Sequence, residues 1–406
     1  MNMRMYRYRI YPTQKQIITL THQMMLAKEL YNILLGEAKQ HYKTTGRSFT
    51  RNMMNLRITK LKKEHTEFVS LYAQVLHNIS DRVWKAYTNF FRRVKEKRGG
   101  KKIKAGFPRV KKFVVSITYP QSKGFKLEGN KLCLPKIGNI PIILHRPLEG
   151  KVKTLTIKCP KNMEWYAAFA TEAGSEQANP NGKPSVGIDL GLTNYATLSD
   201  GTVIQNMHFS KQNVAKTRRL QRRISRKVKG SRNRRKAVSR FARFSNHIVQ
   251  RRHDFLHKLS HQLVSSYGLI AYEKLSVENM VKNHRLAGAI QDVGWGRFAS
   301  MLSYKAESAG CRAVEVNSKD TTTTCSNCGA KKPMPLSTRT YICEKCGLVL
   351  GRDLNSAKVI LARGLSTAGR AGIYVCGEAA STLNPTLGAS SLVEAGTICE
   401  GNVHAQ

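Results

Sequence analysis

Acidic residues are scarce in this chain of 406: 25 Asp and Glu stand against 69 Lys and Arg, a formal net charge of +44. Solubility needs far less, so the excess points to a polyanionic partner. Long apolar runs are missing as well. No stretch of about 20 apolar residues offers a membrane-spanning helix, and no basic-apolar-small leader follows Met1, so the chain reads as a cytoplasmic protein with nucleic acid as its polyanion. A disulfide framework is also lacking. Of nine cysteines, four form two C-x-x-C pairs; Cys133, Cys159, Cys311, Cys376 and Cys399 are scattered and read as buried thiols or tail residues. There is no G-x-x-x-x-G-K-[ST] loop and no Ser-His-Asp or Cys-His arrangement, so neither ATP-driven nor side-chain nucleophilic chemistry is indicated. No internal repeat is evident.

What is present falls into segments. Arg4–Tyr11 alternates basic with apolar or aromatic residues and stops at Pro12-Thr13, which predicts a strand followed by a helix start. From Gln14 to Arg98 the periodicity is helical, clearest in Leu71, Val75, Ile79, Val83, Ala86 and Phe90. A basic Gly-rich linker, Lys95–Gly106, precedes strand-like runs at Phe113–Thr118, Lys131–Leu134, Ile140–Leu144, Lys153–Ile157 and Trp165–Thr171. These read as a small β-barrel that the N-terminal strand could complete, with the helices as an insertion. The polar segment Gly174–Lys183 reads as a linker.

Beyond it, Val186–Gly191, Asn194–Leu198 and Thr202–Gln205 predict a β-meander with Asp189 on its first strand. Gly201 to His253 contains no acid, whereas Lys211–Arg252 carries 17 Lys and Arg. Such a run is commonly a solvated tail; here Leu220, Ile224, Val228, Phe241, Phe244 and Val249 predict docked helices that contact nucleic acid. The strand Leu269–Tyr272 ends on Glu273, a helix near Gly296–Ala309 leads to a strand at Ala313–Val316, and Arg352–Ala362 is helical with Asp353 in its first turn. The last forty or so residues show only a weak apolar pattern and read as disordered or loosely attached.

Two constellations carry chemistry. Cys325-Ser326-Asn327-Cys328-Gly329 and Cys343-Glu344-Lys345-Cys346-Gly347 are knuckles that together supply four thiolates, a tetrahedral site for Zn²⁺ with no position left for water, hence structural; a redox dithiol is the competing reading. Asp189, Glu273 and Asp353 would each pass singly as structural acids. In a ribonuclease H-like fold, however, these locations converge at one edge of a sheet, where carboxylates repel unless divalent cations bridge them. Mg²⁺ or Mn²⁺ suits oxygen ligands, and two such ions could hydrolyse a phosphodiester. His284 reads as a surface or phosphate contact and Trp295 as core.

Gly187-Ile188-Asp189-Leu190-Gly191, Glu273-Lys274-Leu275, Thr323–Gly329 and Arg352–Ala357, in this order, resemble TnpB, the transposon-encoded family of RNA-guided nucleases also called OrfB and related to type V CRISPR effectors. Arg9–Thr13 and Gly106–Arg109 are similar too, so the resemblance spans residues 1 to about 364. It implies a multidomain α/β plus β-barrel architecture: a wedge β-barrel (1–12 and 107–178), an inserted helical recognition lobe (13–106), a RuvC-like nuclease with a basic insertion (179–323), a zinc ribbon (324–350), a last RuvC-like helix (351–364) and a tail (365–406). It further implies a guide RNA derived from the transposon end, double-stranded target DNA cut beside a short motif, and catalysis by Asp189, Glu273 and Asp353. The family often places an acid two residues before its last catalytic Asp; this chain has Gly351, while Asn355 is retained. Arg218, Arg219, Arg222, Arg223, Arg226 and Lys227 would lie along guide and heteroduplex, and Tyr72, Gln74 and Asn78 could reach base edges, with simple surface polarity the alternative. A monomer that is nucleoid-associated when on DNA, in a prokaryotic cell, is the expected state. Two further readings compete: a catalytically silent nucleic-acid-binding regulator of transposition, and a compact type V CRISPR effector.

Overall fold

A computed structural model describes residues 2–159, 164–173, 181–335 and 337–374. The residues after Tyr374, with Cys376 and Cys399, and the first part of the expected linker lie outside these. The chain divides into two compact units, residues 1–175 and 176–406.

The first unit begins with β1 (Asn2–Ile10), whose alternation sends Tyr6, Tyr8 and Ile10 into the core. Thr13 then starts α1 (Gln14–Thr45) through a reciprocal cap. Its hydroxyl accepts from the Gln16 N–H at 3.4 Å, and the Gln16 side chain accepts from the Thr13 N–H at 3.0 Å. Gly46, in the left-handed region at φ 66°, ends the helix. Helices α2 (Arg51–Glu64) and α3 (Ala73–Arg98) follow, and Val75, Ile79 and Val83 are buried as the periodicity requires.

Strands β2 (Ser116–Tyr119), β3 (Lys126–Glu128), β4 (Lys131–Leu134), β5 (Gly138–Ile143), β6 (Lys151–Lys158) and β7 (Trp165–Ala173) join β1 in one antiparallel sheet, ordered β2-β6-β7-β1-β5-β4-β3. β1 therefore lies inside the sheet, paired to β7 along its whole length and to β5 at Arg9 and Ile10. Among the described residues β2 and β3 remain edges, so the strands form an open sheet and not the closed barrel expected.

The second unit is built on β8 (Ser185–Leu190), β9 (Asn194–Leu198), β10 (Val203–Gln205), β11 (Leu269–Glu273) and β12 (Arg312–Val316), ordered β10-β9-β8-β11-β12. The first three form the antiparallel meander, while β11 runs parallel to both β8 and β12. Between β10 and β11 lie α4 (Val214–Ser225) and α5 (Arg232–Ser266); between β11 and β12 lie α6 (Val277–Met280), α7 (His284–Val293) and α8 (Trp295–Ala309). The hairpin β13 (Thr340–Ile342) and β14 (Val349–Gly351) carries the second cysteine pair and leads directly into α9 (Arg352–Tyr374). That helix runs well past Gly364, where the sequence suggested it would stop. Its approach is very close: a Cβ on Gly187 would lie 2.1 Å from the Ala357 carbonyl, and one on Gly364 would lie 2.3 Å from the Ala271 Cβ. Small residues thus let α9 lie on the sheet and set the position of its first turn.

Candidate functional site

That first turn carries Asp353. β8 and β11 are in register with Tyr272 opposite Ile188, so Asp189 and Glu273 are the next residues on adjacent parallel strands. Glu273 is buried and Asp189 partly so. Burial, with the nearby Glu273 and then Asp353 charges, pushes the Asp189 carboxyl up to about 8, only partly opposed by Arg352. Glu273 is likewise raised by burial, against the Thr321 hydroxyl and the Arg363 charge. The structure therefore brings Glu273 and Asp353 each within electrostatic reach of Asp189. It does not close them into a ligand cage: among the described residues, only the four cysteines place three or more donor atoms within 4.8 Å of one another. Asp353 is instead held by the Arg352 guanidinium, whose nitrogens lie 3.2 Å from its Oδ1. Partly desolvated carboxylates whose countercharge is Arg352 and Arg363 are oxygen donors of the kind a divalent cation takes.

The cysteines are different. Sγ atoms of Cys325 and Cys346 are 3.7 Å apart and those of Cys328 and Cys343 are 3.5 Å apart. A tetrahedron with metal–sulfur bonds of about 2.3 Å has sulfur separations of about 3.8 Å, so this spacing fits zinc with little movement. The Leu348 N–H and the Asn327 side chain hold the Cys346 thiol down to about 6, favouring thiolate. Gly329 and Gly347, at φ 73° and 70°, make the knuckle turns. Asn355, fully buried in the second turn of α9, fastens the first knuckle. Its side chain donates to the Thr324 carbonyl at 2.8 Å and accepts from the Ser326 N–H at 2.9 Å.

Arg218, Arg219, Arg222 and Arg223 on α4, with Arg226 and Lys227 just beyond it, are all exposed. Leu220 packs inward, Lys216 lies 4.5 Å over the Phe244 ring, and Arg234 donates to the Ile224 and Lys227 carbonyls, which docks α4 on α5. A groove of about 350 Å³ between the two helices is lined by Arg223, Arg226, Lys227, Lys236 and Arg240 together with Leu220, Asn233 and Ala237, a cationic surface that attracts phosphates. The hairpin is tied to the body by Asp292, which is buried, accepts from the Ser210 N–H at 2.8 Å and hydroxyl at 2.7 Å, and pairs with Arg252. The other named residues are less free. Tyr72 stacks on Tyr119 with centroids 6.1 Å apart, and Gln74 and Asn78 are half-buried on α3. His284 is exposed at the start of α7 and Trp295 is buried. Sequence reasoning missed Gly187, Thr321 and Asp292. Gly187 lay inside a recognised run, whereas no local pattern marked the other two.

Three family models match the chain: residues 168–284 match one described as "Probable transposase", residues 295–360 one described as "Cas12f1-like, TNB domain", and residues 1–47 one described as "Helix-turn-helix domain". The first 47 residues nevertheless fold as β1 and a single 32-residue helix. The matches point to the class: residues 168–284 are similar to a family described as a transposase, and the Cas12f1-like TNB match over 295–360 contains the four cysteines. A candidate RNA-guided DNA endonuclease of Streptomyces pristinaespiralis is 33% identical over 89% of this chain and 90% of its own length. The candidate RNA-guided DNA endonuclease InsQ of Escherichia coli (strain K12) is 33% identical over 74% of this chain and 75% of its own length. The chain belongs to the TnpB (OrfB) family. The fold is shared with a Cas12f1 chain solved with its single guide RNA and target DNA, at a TM-score of 0.51 and 15% identity over 86% of this chain and 83% of that one. No helix among the described residues is long and apolar enough to cross a membrane.

Proposed function

We propose that this protein is an RNA-guided, metal-dependent DNA endonuclease of an insertion element, which cleaves double-stranded DNA next to a short motif. The observation that carries the reading is the convergence of Asp189, Glu273 and Asp353 at the meeting of two parallel strands and a helix start, in a unit that also presents a cationic helical hairpin. The relatives' names support the guide and the target, and the carboxylate geometry supports hydrolysis.

In this reading the second unit is a RuvC-like nuclease interrupted by a zinc ribbon. Asp189, Glu273 and Asp353 would hold divalent cations, Mg²⁺ or Mn²⁺, whose chemistry would be to activate water and to stabilise charge at the leaving oxygen. Asp189 anchors the site from the sheet, Glu273 approaches from the neighbouring strand, and Asp353 is carried in by α9 through Gly187. Arg352 pairs with Asp353 and orients its carboxylate. The α4–α5 hairpin grips phosphates of the guide RNA, whose transposon-end origin is part of the proposal, while base pairing supplies sequence specificity. The first unit, as wedge and recognition lobe, meets the DNA beside the target. A monomer is the proposed state.

The test is cleavage of linear DNA by the full chain with the RNA that co-purifies with it, sequenced first, in the presence of Mg²⁺. Guided cuts are expected, and Asp189→Ala should lower the rate by roughly a thousandfold or more while target binding persists. Target bound but left intact by the parental protein would favour the silent regulator; parental cutting by the Asp189 variant would refute the metal site. Guide binding should weaken steeply between about 50 and 200 mM salt.

A further inference from the structure

Glu273 has a partner that the chemistry above does not use. The Thr321 hydroxyl donates to its Oε1 at 2.5 Å, and both residues are buried. We infer that Thr321 is a positioning residue for the metal site: it fixes the rotation of the Glu273 carboxylate and so the direction in which its second oxygen meets a cation. The inference rests on the carboxylate reading.

The need for such a residue follows from the side chain. The terminal torsion of Glu is broad, so a strand end fixes where the carboxyl group is without fixing which way it faces. Threonine is stiff at χ1 and directs one hydroxyl. That hydroxyl has a single proton and two acceptors, Glu273 Oε1 at 2.5 Å and the Ser318 carbonyl at 3.1 Å. The nearer acceptor, the Glu273 carboxyl oxygen, takes it.

The loop that presents Thr321 is braced from all sides. Arg363 of α9 donates to the Asn317 and Lys319 carbonyls at 2.9 and 2.6 Å. Thr324 donates to the Asp320 carbonyl at 2.6 Å, and the Asp320 carboxylate pairs with Lys331 at 2.9 Å. Asp320 itself sits at φ 61°, a conformation that costs a non-glycine residue free energy and persists where the surroundings hold it. A few residues on, the same loop becomes the first cysteine knuckle, fastened by Asn355. Thr321 is thus held by elements that belong to the cysteine domain and to α9, and it hands that rigidity to Glu273.

The experiment uses the zinc-loaded full chain and measures Mn²⁺ binding directly, by the electron paramagnetic resonance of free Mn²⁺, without DNA. Thr321→Val keeps the shape and removes the hydroxyl; it should weaken Mn²⁺ binding roughly 10–100-fold, the usual effect of losing a hydrogen bond behind a ligand. Thr321→Ser restores the hydroxyl and should return to within a few-fold of parental affinity. Guided cleavage by the Val variant should then need correspondingly more Mn²⁺ for half-maximal rate, with target binding unchanged. Should valine disturb the fold by circular dichroism, Thr321→Ala repeats the measurement. Asp189→Ala serves as the reference that must lose Mn²⁺. Parental Mn²⁺ affinity in folded Val and Ala variants, with Asp189→Ala defective, overturns the role of Thr321 alone. Parental affinity in Asp189→Ala overturns the carboxylate site and this inference with it.

Discussion

The two sites of the second unit make opposite use of geometry. The cysteine site is complete in the folded chain: four sulfurs stand at metal spacing, backbone N–H groups favour thiolates, and Asn355 locks one knuckle to α9. The carboxylate site is held short of closure, with one acid pushed up to about 8 and another turned toward Arg352. A closed set of soft ligands suits an ion that stays and shapes the domain; under the proposed function, an open set of hard ligands suits ions that exchange. On the proposed reading, the division between a structural and a working metal corresponds to this difference in ligand closure.

The strongest way to break that comparison is to open the closed site. One zinc per chain is expected by elemental analysis, and Cys343→Ser should bind none. Structural zinc sites in small peptides are worth about 10–16 kcal/mol apparent, so residues around 324–350 should lose hydrogen-exchange protection altogether in the variant. The β8–β11 core should keep its protection, since its own apolar cluster does not include the four knuckle cysteines. Full zinc content in the Cys343 variant would show that the ribbon does not depend on a four-sulfur site.

A smaller effect sharpens the other half. In metal-free protein the Asp189 pKa is raised from 3.8 to about 8, so the folded state holds its proton more tightly than the unfolded state. The associated stability is present below about pH 4 and lost as pH rises through about 8. Asp189→Asn carries no charge to lose. Its melting temperature in chelator should equal the parental one near pH 4 and exceed it above pH 8, by about 2–4 °C for each kcal/mol relieved. Saturating Mg²⁺ should reverse the order, because only the parental carboxylate gains from the cation. A difference that does not change between pH 4 and 8 would place the cost elsewhere than in the charge.

How much of this was legible depends on whether a residue's role is local. The knuckles announce themselves because both ligands of each turn sit within four residues, and Asp189 and Glu273 are marked by the apolar strands that carry them. β4 was readable to the residue from Lys131–Leu134, since its turn residues frame a short alternating run. The continuation of α9 was not. Beyond Gly364 the small and polar residues leave only a weak apolar pattern, which reads as a tail; in three dimensions the smallness of Gly364 and Ala368 is what lets the helix lie on Ala271 and its neighbours. Gly187 hid its function likewise, as clearance for Ala357 rather than as a turn. Thr321 stood in a run of four threonines, and which one meets Glu273, 48 residues away, is decided by the path of a loop that no periodicity encodes. β1 could be recognised as a strand, but its place inside an open sheet depends on pairing with β7, more than 150 residues later.

The smallest predicted effect concerns Gly351, where the family often has an acid. The residue ends β14, is exposed, and an added Cβ would meet nothing within 4 Å. Gly351→Asp should therefore fold with a stability within about 0.5 kcal/mol of parental, the usual range for an unconstrained surface position. Its charge enters two residues from Asp353, beside the Arg352 that now shares that carboxylate. Drawing part of Arg352 away would free Asp353 toward Asp189 and Glu273, and the added negative potential would attract cations. Both effects lower the Mg²⁺ concentration for half-maximal cleavage, by a few-fold on the order of a surface charge pair, about 0.5–1 kcal/mol. The variant moves the open site one step toward closure without touching a ligand. An unchanged Mg²⁺ dependence would mean that position 351 does not communicate with Asp353, and that this chain's acids work as a complete set of three.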